Sequence, residues 1–330
     1  MTVTAFDFVL SPDLEAHEPP EARGLARDQV RLLVGGPDGV SHHHFPELPA
    51  LLEPGDVLVV NTSATMPAAV STLDGGFDLH FSTQLPDGDW VVEPRHHQGA
   101  AGERLTLHGG AHVTLKEPYS ARLWVASVDV ASVPGYLMKF GRPIRYSYVK
   151  RDWPLSTYHS VFATELGSAE MPSASRPFTE HMVTRLASRG IVIAPITLHT
   201  GVASWEAHEK PYPERFWVPQ TTARLINEAR AAARRIIAVG TTAVRAIETA
   251  AAEDGKMQEA QGWTDVVISR DRPVRVTDGL LTGFHEPHAS HLLMLEAIVG
   301  EELLARCYEQ AIAHGYLWHE FGDLNLLLAR

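Results

Sequence analysis

The apolar positions of the first 65 residues fall in short runs punctuated by glycine and proline. Val30 to Val34 reads as a strand, Gly35-Gly36-Pro37-Asp38-Gly39 as a turn, and Asp56 to Val60 as a second strand entered from the Pro54-Gly55 turn. From Met66 to Lys150 the runs stay short and β-like. Phe77 to Ser82, Trp90 to Glu93, Arg104 to Leu107, His112 to Lys116 and Arg122 to Val128 are separated by Gly- and Asp-containing turns, with no helix expected between them. Evenly spaced short strands of this kind predict a small β-barrel.

After about Leu155 the period changes. Thr179 caps a predicted helix to Arg189, Gly190 ends it, and Ile191 to Leu198 follows as a buried strand. A second cycle opens at Thr221, with Leu225, Ile226, Ala229 and Ala233 sharing a helical face ahead of the strand Ile236 to Val239. A third helix runs from just after Gly240 to Glu253. Asp254-Gly255-Lys256 and the Gln258 to Gly262 stretch read as surface turns. Strands alternating with helices predict parallel β-α units. The expected fold class is therefore α/β: a parallel β-α domain from residues 1–65 and 155–330, interrupted by an inserted small β-barrel domain at 66–154.

Composition narrows the chemistry. With 40 acidic against 28 basic side chains the formal charge is −12, which opposes non-specific attraction to a polyanion, so any nucleic-acid contact needs a local basic patch. Cys307 is the only cysteine, which excludes an internal disulfide, and its surroundings place it on an amphipathic helix as a packed thiol. The start Met1-Thr2-Val3-Thr4-Ala5-Phe6-Asp7 lacks the basic and apolar regions of a signal peptide, and no later stretch is expected to span a membrane. The expected compartment is the cytoplasm.

The strongest local motif is Ile237-Ala238-Val239-Gly240-Thr241-Thr242-Ala243-Val244-Arg245-Ala246-Ile247-Glu248: a strand, a glycine turn and a helix start. Ligands of α/β sheets gather at the carboxyl ends of strands, where helix amides are free. Thr241, Arg245 and Glu248 are spaced to share one helix face. The alternative is a threonine cap followed by a surface Arg-Glu pair. Further along, Gly262-Trp263-Thr264-Asp265 precedes Val276-Thr277-Asp278-Gly279-Leu280-Leu281-Thr282-Gly283-Phe284-His285. Asp265 and Asp278 lie at strand ends, where a turn role weighs equally with a chemical one. His285, His288 and His291 recur every third residue but straddle a proline-containing loop without matching cysteines or carboxylates, so no metal is expected. Asp323, near the end, reads as a turn residue.

These motifs, taken in order with Leu292-Leu293-Met294-Leu295 and Phe321-Gly322-Asp323, resemble those of the S-adenosylmethionine:tRNA ribosyltransferase-isomerase family, the epoxyqueuosine-forming enzymes. Leu58-Val59-Val60-Asn61, Gly75-Gly76 with Asp78, Tyr158 with Val161-Phe162-Ala163, and Thr197-Leu198-His199 with Gly201 extend the resemblance along the chain. It implies an α/β domain with an inserted β-barrel and a site between them. It also implies transfer and rearrangement of the ribosyl moiety of S-adenosylmethionine as co-substrate: a base removes a proton beside the sulfonium, adenine departs, the aminomethyl group of 7-aminomethyl-7-deazaguanine in tRNA attacks, and methionine leaves as an epoxide forms. By resemblance Gly240, Thr241, Thr242, Arg245 and Glu248 bind the co-substrate, and His199, Asp265, Asp278 and His285 supply acid-base or polar groups.

Other positions depart from the family. Asn61-Thr62-Ser63-Ala64-Thr65 stands where an Asn-Asp-Thr-Arg motif is usual, Met171-Pro172-Ser173-Ala174-Ser175-Arg176-Pro177-Phe178-Thr179 places Pro177 at a histidine position, Glu93-Pro94-Arg95 replaces Lys-Pro-Gly, and Glu209-Lys210-Pro211-Tyr212 follows His208 where two histidines are usual. The expected acceptor is thus tRNA or a small molecule, with a non-catalytic S-adenosylmethionine- or nucleoside-binding protein as a further possibility.

Overall fold

The computed structural model describes residues 8–202 and 213–330; His208 and Glu209 to Tyr212 lie outside them. Its main body is a nine-stranded mixed sheet in the order Ala260–Thr264, Glu214–Val218, Val192–Leu198, Val57–Asn61, Ile236–Val239, Gly279–Gly283, Leu324–Leu328, Arg31–Gly36, Gly39–His44. Val192–Leu198, Val57–Asn61, Ile236–Val239 and Gly279–Gly283 run parallel at its centre. Antiparallel pairs flank them on both sides. The α/β class holds, with four parallel strands at the middle of the sheet and a further parallel pair, Leu324–Leu328 with Arg31–Gly36, toward one edge.

The central strands are apolar throughout because both faces are covered. Val57 and Val59 point into a core shared with the helices Gln220–Ala231, Thr241–Ala250, His291–Val299 and Glu301–Ala313. Leu58 and Val60 point the other way, into a second core with Leu48, Met182 and Leu186. This two-residue alternation is the pleat itself. Thr179 caps the helix Glu180–Ser188 by accepting from Met182 N at 3.1 Å, and Gly190 follows it at φ 78°.

The second sheet has six antiparallel strands, ordered Ala69–Ser71, Asp78–Gln84, Trp90–Pro94, Trp124–Val128, His112–Pro118, Arg104–Thr106. Its two edges meet at one end. Leu73 N donates to Thr106 O at 2.8 Å and His108 N to Ser71 O at 3.0 Å, around a bridge between Thr72 and Leu107. The sheet curls around its own core of Met66, Phe81, Trp90, Leu107, Val113 and Leu137.

Several local expectations are corrected. A helix, Val133–Phe140, does occur between residues 66 and 150. Its Pro134-Gly135 pair reads as a breaker, yet it occupies the first turn, where a proline costs no hydrogen bond and the Ser132 hydroxyl accepts from Gly135 N at 3.2 Å. Gln258 to Gly262 is not wholly a turn: Ala260–Thr264 is an edge strand that exposes alternate residues. The helix after Gly240 stops at Ala250, and Ala233 leaves the preceding helix at φ 53°, exposed. Gly35 lies inside a strand. A Cβ there would stand 2.3 Å from Cys307 Sγ, so the glycine lets the Glu301–Ala313 helix close over the sheet. The Cys307 thiol is buried as expected, and burial pushes it up to about 12.

Candidate functional site

The carboxyl ends of the central strands converge on Asn61. Its side-chain amide donates to Leu198 O at 2.8 Å and to Thr242 Oγ1 at 3.2 Å, and its carbonyl accepts from Ser63 N and Leu198 N, both at 3.0 Å. One buried side chain thus ties together the ends of two strands and the start of the Thr241–Ala250 helix.

Gly240 enters that helix at φ 88°, ψ 154°, a conformation open to glycine, and donates to Leu281 O at 2.8 Å. Having no side chain, it leaves the first helical amides uncapped. Ala174 Cβ would stand 3.5 Å from a side chain at 240, so the Ser173–Ser175 turn covers this corner of the sheet. Thr241 is half-buried and Thr242 buried beside it. Arg245, one turn further, forms a buried ion pair with Glu214, whose other oxygen accepts from Gly201 N at 3.0 Å. Glu248 does not join that face. Its Oε1 accepts from Val276 N, Thr277 N and Thr277 Oγ1 at 3.1, 3.0 and 2.7 Å, and its Oε2 from Arg275 N at 2.7 Å. The carboxylate is saturated by the loop that leads into Gly279–Gly283.

His199 follows the strand Val192–Leu198. Its Nδ1 lies 2.8 Å from Ser63 Oγ, which lies 2.6 Å from Ser168 Oγ; Ser168 Oγ in turn accepts from Thr200 N at 3.0 Å. Every hydroxyl in this chain has an acceptor when it runs from Ser168 through Ser63 to Nδ1, which puts the imidazole proton on Nε2. Gly167 backs the ring; a Cβ there would fall 2.3 Å from Nδ1. Burial, with the charge of Arg215, holds the imidazole down to about 4.

His285 lies at the start of the loop after Gly279–Gly283 and is fixed on three sides. Its Nε2 lies 3.0 Å from Thr282 Oγ1, its N donates to Tyr308 Oη at 3.1 Å, and its O accepts from Trp318 Nε1 at 3.0 Å. Its ring stacks on His291 with centroids 4.7 Å apart. Burial keeps His285 well below its ordinary value, and burial with the nearby Arg245 charge holds His291 down to about 4. Both are neutral at physiological pH. His288 is exposed at φ 64°. Among the described residues no group of three His, Cys, Asp or Glu side chains is arranged to hold a metal ion.

The aspartates separate. Asp265 follows Thr264, the register partner of Glu214, and is exposed at the same rim as Gly240. Asp278 stands at the opposite end of the sheet. It precedes Gly279, accepts from Ile236 N at 2.9 Å and pairs with Arg330 at 2.8 Å, about one strand length, on the order of 15 Å, from the Gly240 rim. Asp323 is more than a turn residue: it accepts from Leu317 N at 2.8 Å and takes Arg31 through Nε and Nη2 at 3.0 and 2.7 Å.

The full length of the chain carries a family likeness. Residues 3–327 match the model of the family described as queuosine biosynthesis protein. The chain belongs to that family. The S-adenosylmethionine:tRNA ribosyltransferase-isomerase of Acidiphilium cryptum is 34% identical over 99% of both chains, and that of Symbiobacterium thermophilum is 33% identical over 99% of this chain and 100% of the relative. The crystal structure of the S-adenosylmethionine tRNA ribosyltransferase of Thermotoga maritima has the same fold, with a TM-score of 0.57 and 27% identity over 98% of this chain and 99% of that one.

Within this family member, sequence reasoning left Asn61, Ser63, Ser168, Glu214 and His291 out of the site. Asn61 carried a signal, an amide at the end of an otherwise apolar strand. Glu214 carried none, because its partner Arg245 lies on a distant helix.

Proposed function

We propose that the protein is an S-adenosylmethionine:tRNA ribosyltransferase-isomerase that consumes the ribosyl moiety of its co-substrate instead of transferring the methyl group. The observation that carries this reading is the likeness, over 99% of the chain, to relatives named for that activity. The rim supports it. The uncapped amides after Gly240, with Thr241, Thr242 and Arg245, suit the polar ends of S-adenosylmethionine. His285, a neutral imidazole, suits a polar contact to the co-substrate, and the Nε2–H of His199 suits a hydrogen bond to the departing adenine. Asp265 is free to meet a ligand from the exposed side. Glu248 and Asp278 act at a distance, the first by holding the loop before Gly279 and the second by latching the far end of the sheet. A tRNA acceptor would place the protein in the cytoplasm. None of the quoted relatives is named for a small-molecule acceptor.

The test is incubation with S-adenosylmethionine and tRNA bearing 7-aminomethyl-7-deazaguanine, with a chelator present in one arm. Adenine and methionine are expected in solution and an epoxide-bearing base in the tRNA by mass spectrometry, equally in both arms. Intact S-adenosylmethionine after prolonged incubation with folded protein and this tRNA would sink the reading. Adenine release with unchanged tRNA would move the acceptor elsewhere.

A further inference from the structure

We propose that Glu320 is the acidic centre of a subsite for a primary ammonium group, one bay along the sheet edge from Gly240. This deepens the ribosyltransferase reading and rests on it for the identity of the ligand. Glu320 Oε1 is buried and has no hydrogen-bond partner. It lines a cleft with Ser173, Arg176, Gly283, Phe321 and Gly322. Gly283 ends a central strand, and Ser173 belongs to the turn whose Ala174 faces Gly240, so the cleft continues the same rim.

The charges facing Glu320 do not satisfy it. Glu170 is a second acid, accepting the Tyr146 hydroxyl proton. Tyr146, Tyr148 and Tyr158 surround the pair and are pushed up by burial, so they stay protonated. Arg176 is already committed: Nη2 lies 3.0 Å from both oxygens of Glu21, and Nε donates to Thr157 O at 2.9 Å. His319, the chain neighbour, is lowered by burial against the pull of Glu286 and Glu15, and its ring stacks on Tyr148 at 4.1 Å. Burial and Glu170 outweigh Arg176 and push Glu320 up to about 8.

A buried carboxyl without a partner costs free energy that a fold alone does not recover. A cation entering the cleft would recover it. The cavity volume is about 10 Å³, room for a single small head and not for a planar ring. An ammonium brings three donors to that space, while the Phe321 ring already carries the Arg176 guanidinium at 5.2 Å and so leaves the ligand's charge to Glu320. Binding would ionise Glu320 and release its proton to solvent. Two sources carry this head: the amino-acid end of S-adenosylmethionine and an aminomethyl group on the acceptor.

Proton counting by calorimetry at about pH 7, in two buffers of different ionisation enthalpy, tests the site on the intact protein. S-adenosylmethionine forms one arm and free 7-aminomethyl-7-deazaguanine the other. In the arm that supplies the ammonium, the natural protein is expected to release about one proton more per ligand than Glu320→Gln, and the variant to bind at least about tenfold more weakly. Glu170→Gln, which keeps Glu320 but removes its acidic neighbour, is expected to give an intermediate count and serves if the first variant misfolds. Equal proton counts in both arms, or no binding in either, overturn the subsite. Adenine release, measured separately, continues to judge the ribosyltransferase reading on its own.

Discussion

The two ends of the central parallel strands are built from similar side chains and do opposite things. At the amino ends Asp56 and Asp278 are saturated. Asp56 accepts from Glu53 N at 2.9 Å and Arg235 N at 3.1 Å and takes the Arg235 guanidinium at 3.0 and 2.5 Å, while Asp278 holds Ile236 N and Arg330. At the carboxyl ends one buried pair, Arg245–Glu214, stands among a hydroxyl chain, neutral imidazoles and a carboxyl oxygen with no partner. Charges locked into pairs fix a fold. Neutral or unsatisfied groups leave room for a ligand's charge. The contrast between the saturated Asp278 and the unpartnered Glu320 follows their place on the sheet and not their residue type.

Acid should separate the two ends most strongly. An unfolded histidine titrates near pH 6.5, whereas His199 and His291 are held down to about 4. Between those values the unfolded chain binds more protons. The stability these residues contribute is therefore complete above about pH 6.5 and lost as the pH falls toward 4, at roughly 3 kcal/mol for each. Denaturant unfolding from about pH 7 to about pH 4.5 should fall steeply, and His199→Gln should remove about one proton from the slope. A flat profile would mean that the imidazoles are not kept neutral by the fold.

Next in size are the buried ion pairs. Asp56→Ala strands Arg235 and should cost about 3–5 kcal/mol, with affinity for S-adenosylmethionine per folded molecule unchanged. Arg245→Ala strands the Glu214 carboxylate at a comparable cost and should also weaken that affinity about tenfold or more. Unfolding and calorimetry on the same samples check both. If Arg245→Ala costs stability alone, Arg245 belongs with the latches. The smallest expected effect is that of Asp265→Asn, which should stay within about ±0.5 kcal/mol in stability because the side chain is exposed. Turnover of this variant then reports chemistry without interference from folding.

Much of the parallel core was legible because local and global signals agree there. Ile236–Val239 is buried throughout and followed by a glycine, so its limits could be read to the residue. Apart from the locally capped helix Val133–Phe140, the failures below share one physical origin, namely information held by a distant partner. Asp265 and Asp278 look alike in sequence, and only strand direction within the sheet assigns them to opposite ends. Gly35 reads as part of a turn because Cys307, which demands its missing side chain, is remote in the chain. Thr241, Arg245 and Glu248 do share the spacing of one helix, yet the Arg275–Thr277 backbone draws Glu248 away and Glu214 claims Arg245. Glu320 had no sequence signal, since a lone acid in a turn looks solvated until the tyrosines close around it.

The sole thiol gives the molecule a clock. A thiol reagent finds one address in the whole chain, and that address is sealed between Gly35 and the Glu301–Ala313 helix with its proton firmly held. Alkylation can proceed only in the moments when the helix lifts from the far edge of the sheet. Its rate therefore measures, with no substitution introduced, how often the scaffold breathes on the side away from the Ala260–Thr264 edge. Slower alkylation in the presence of a ligand would give the distance over which binding tightens the fold.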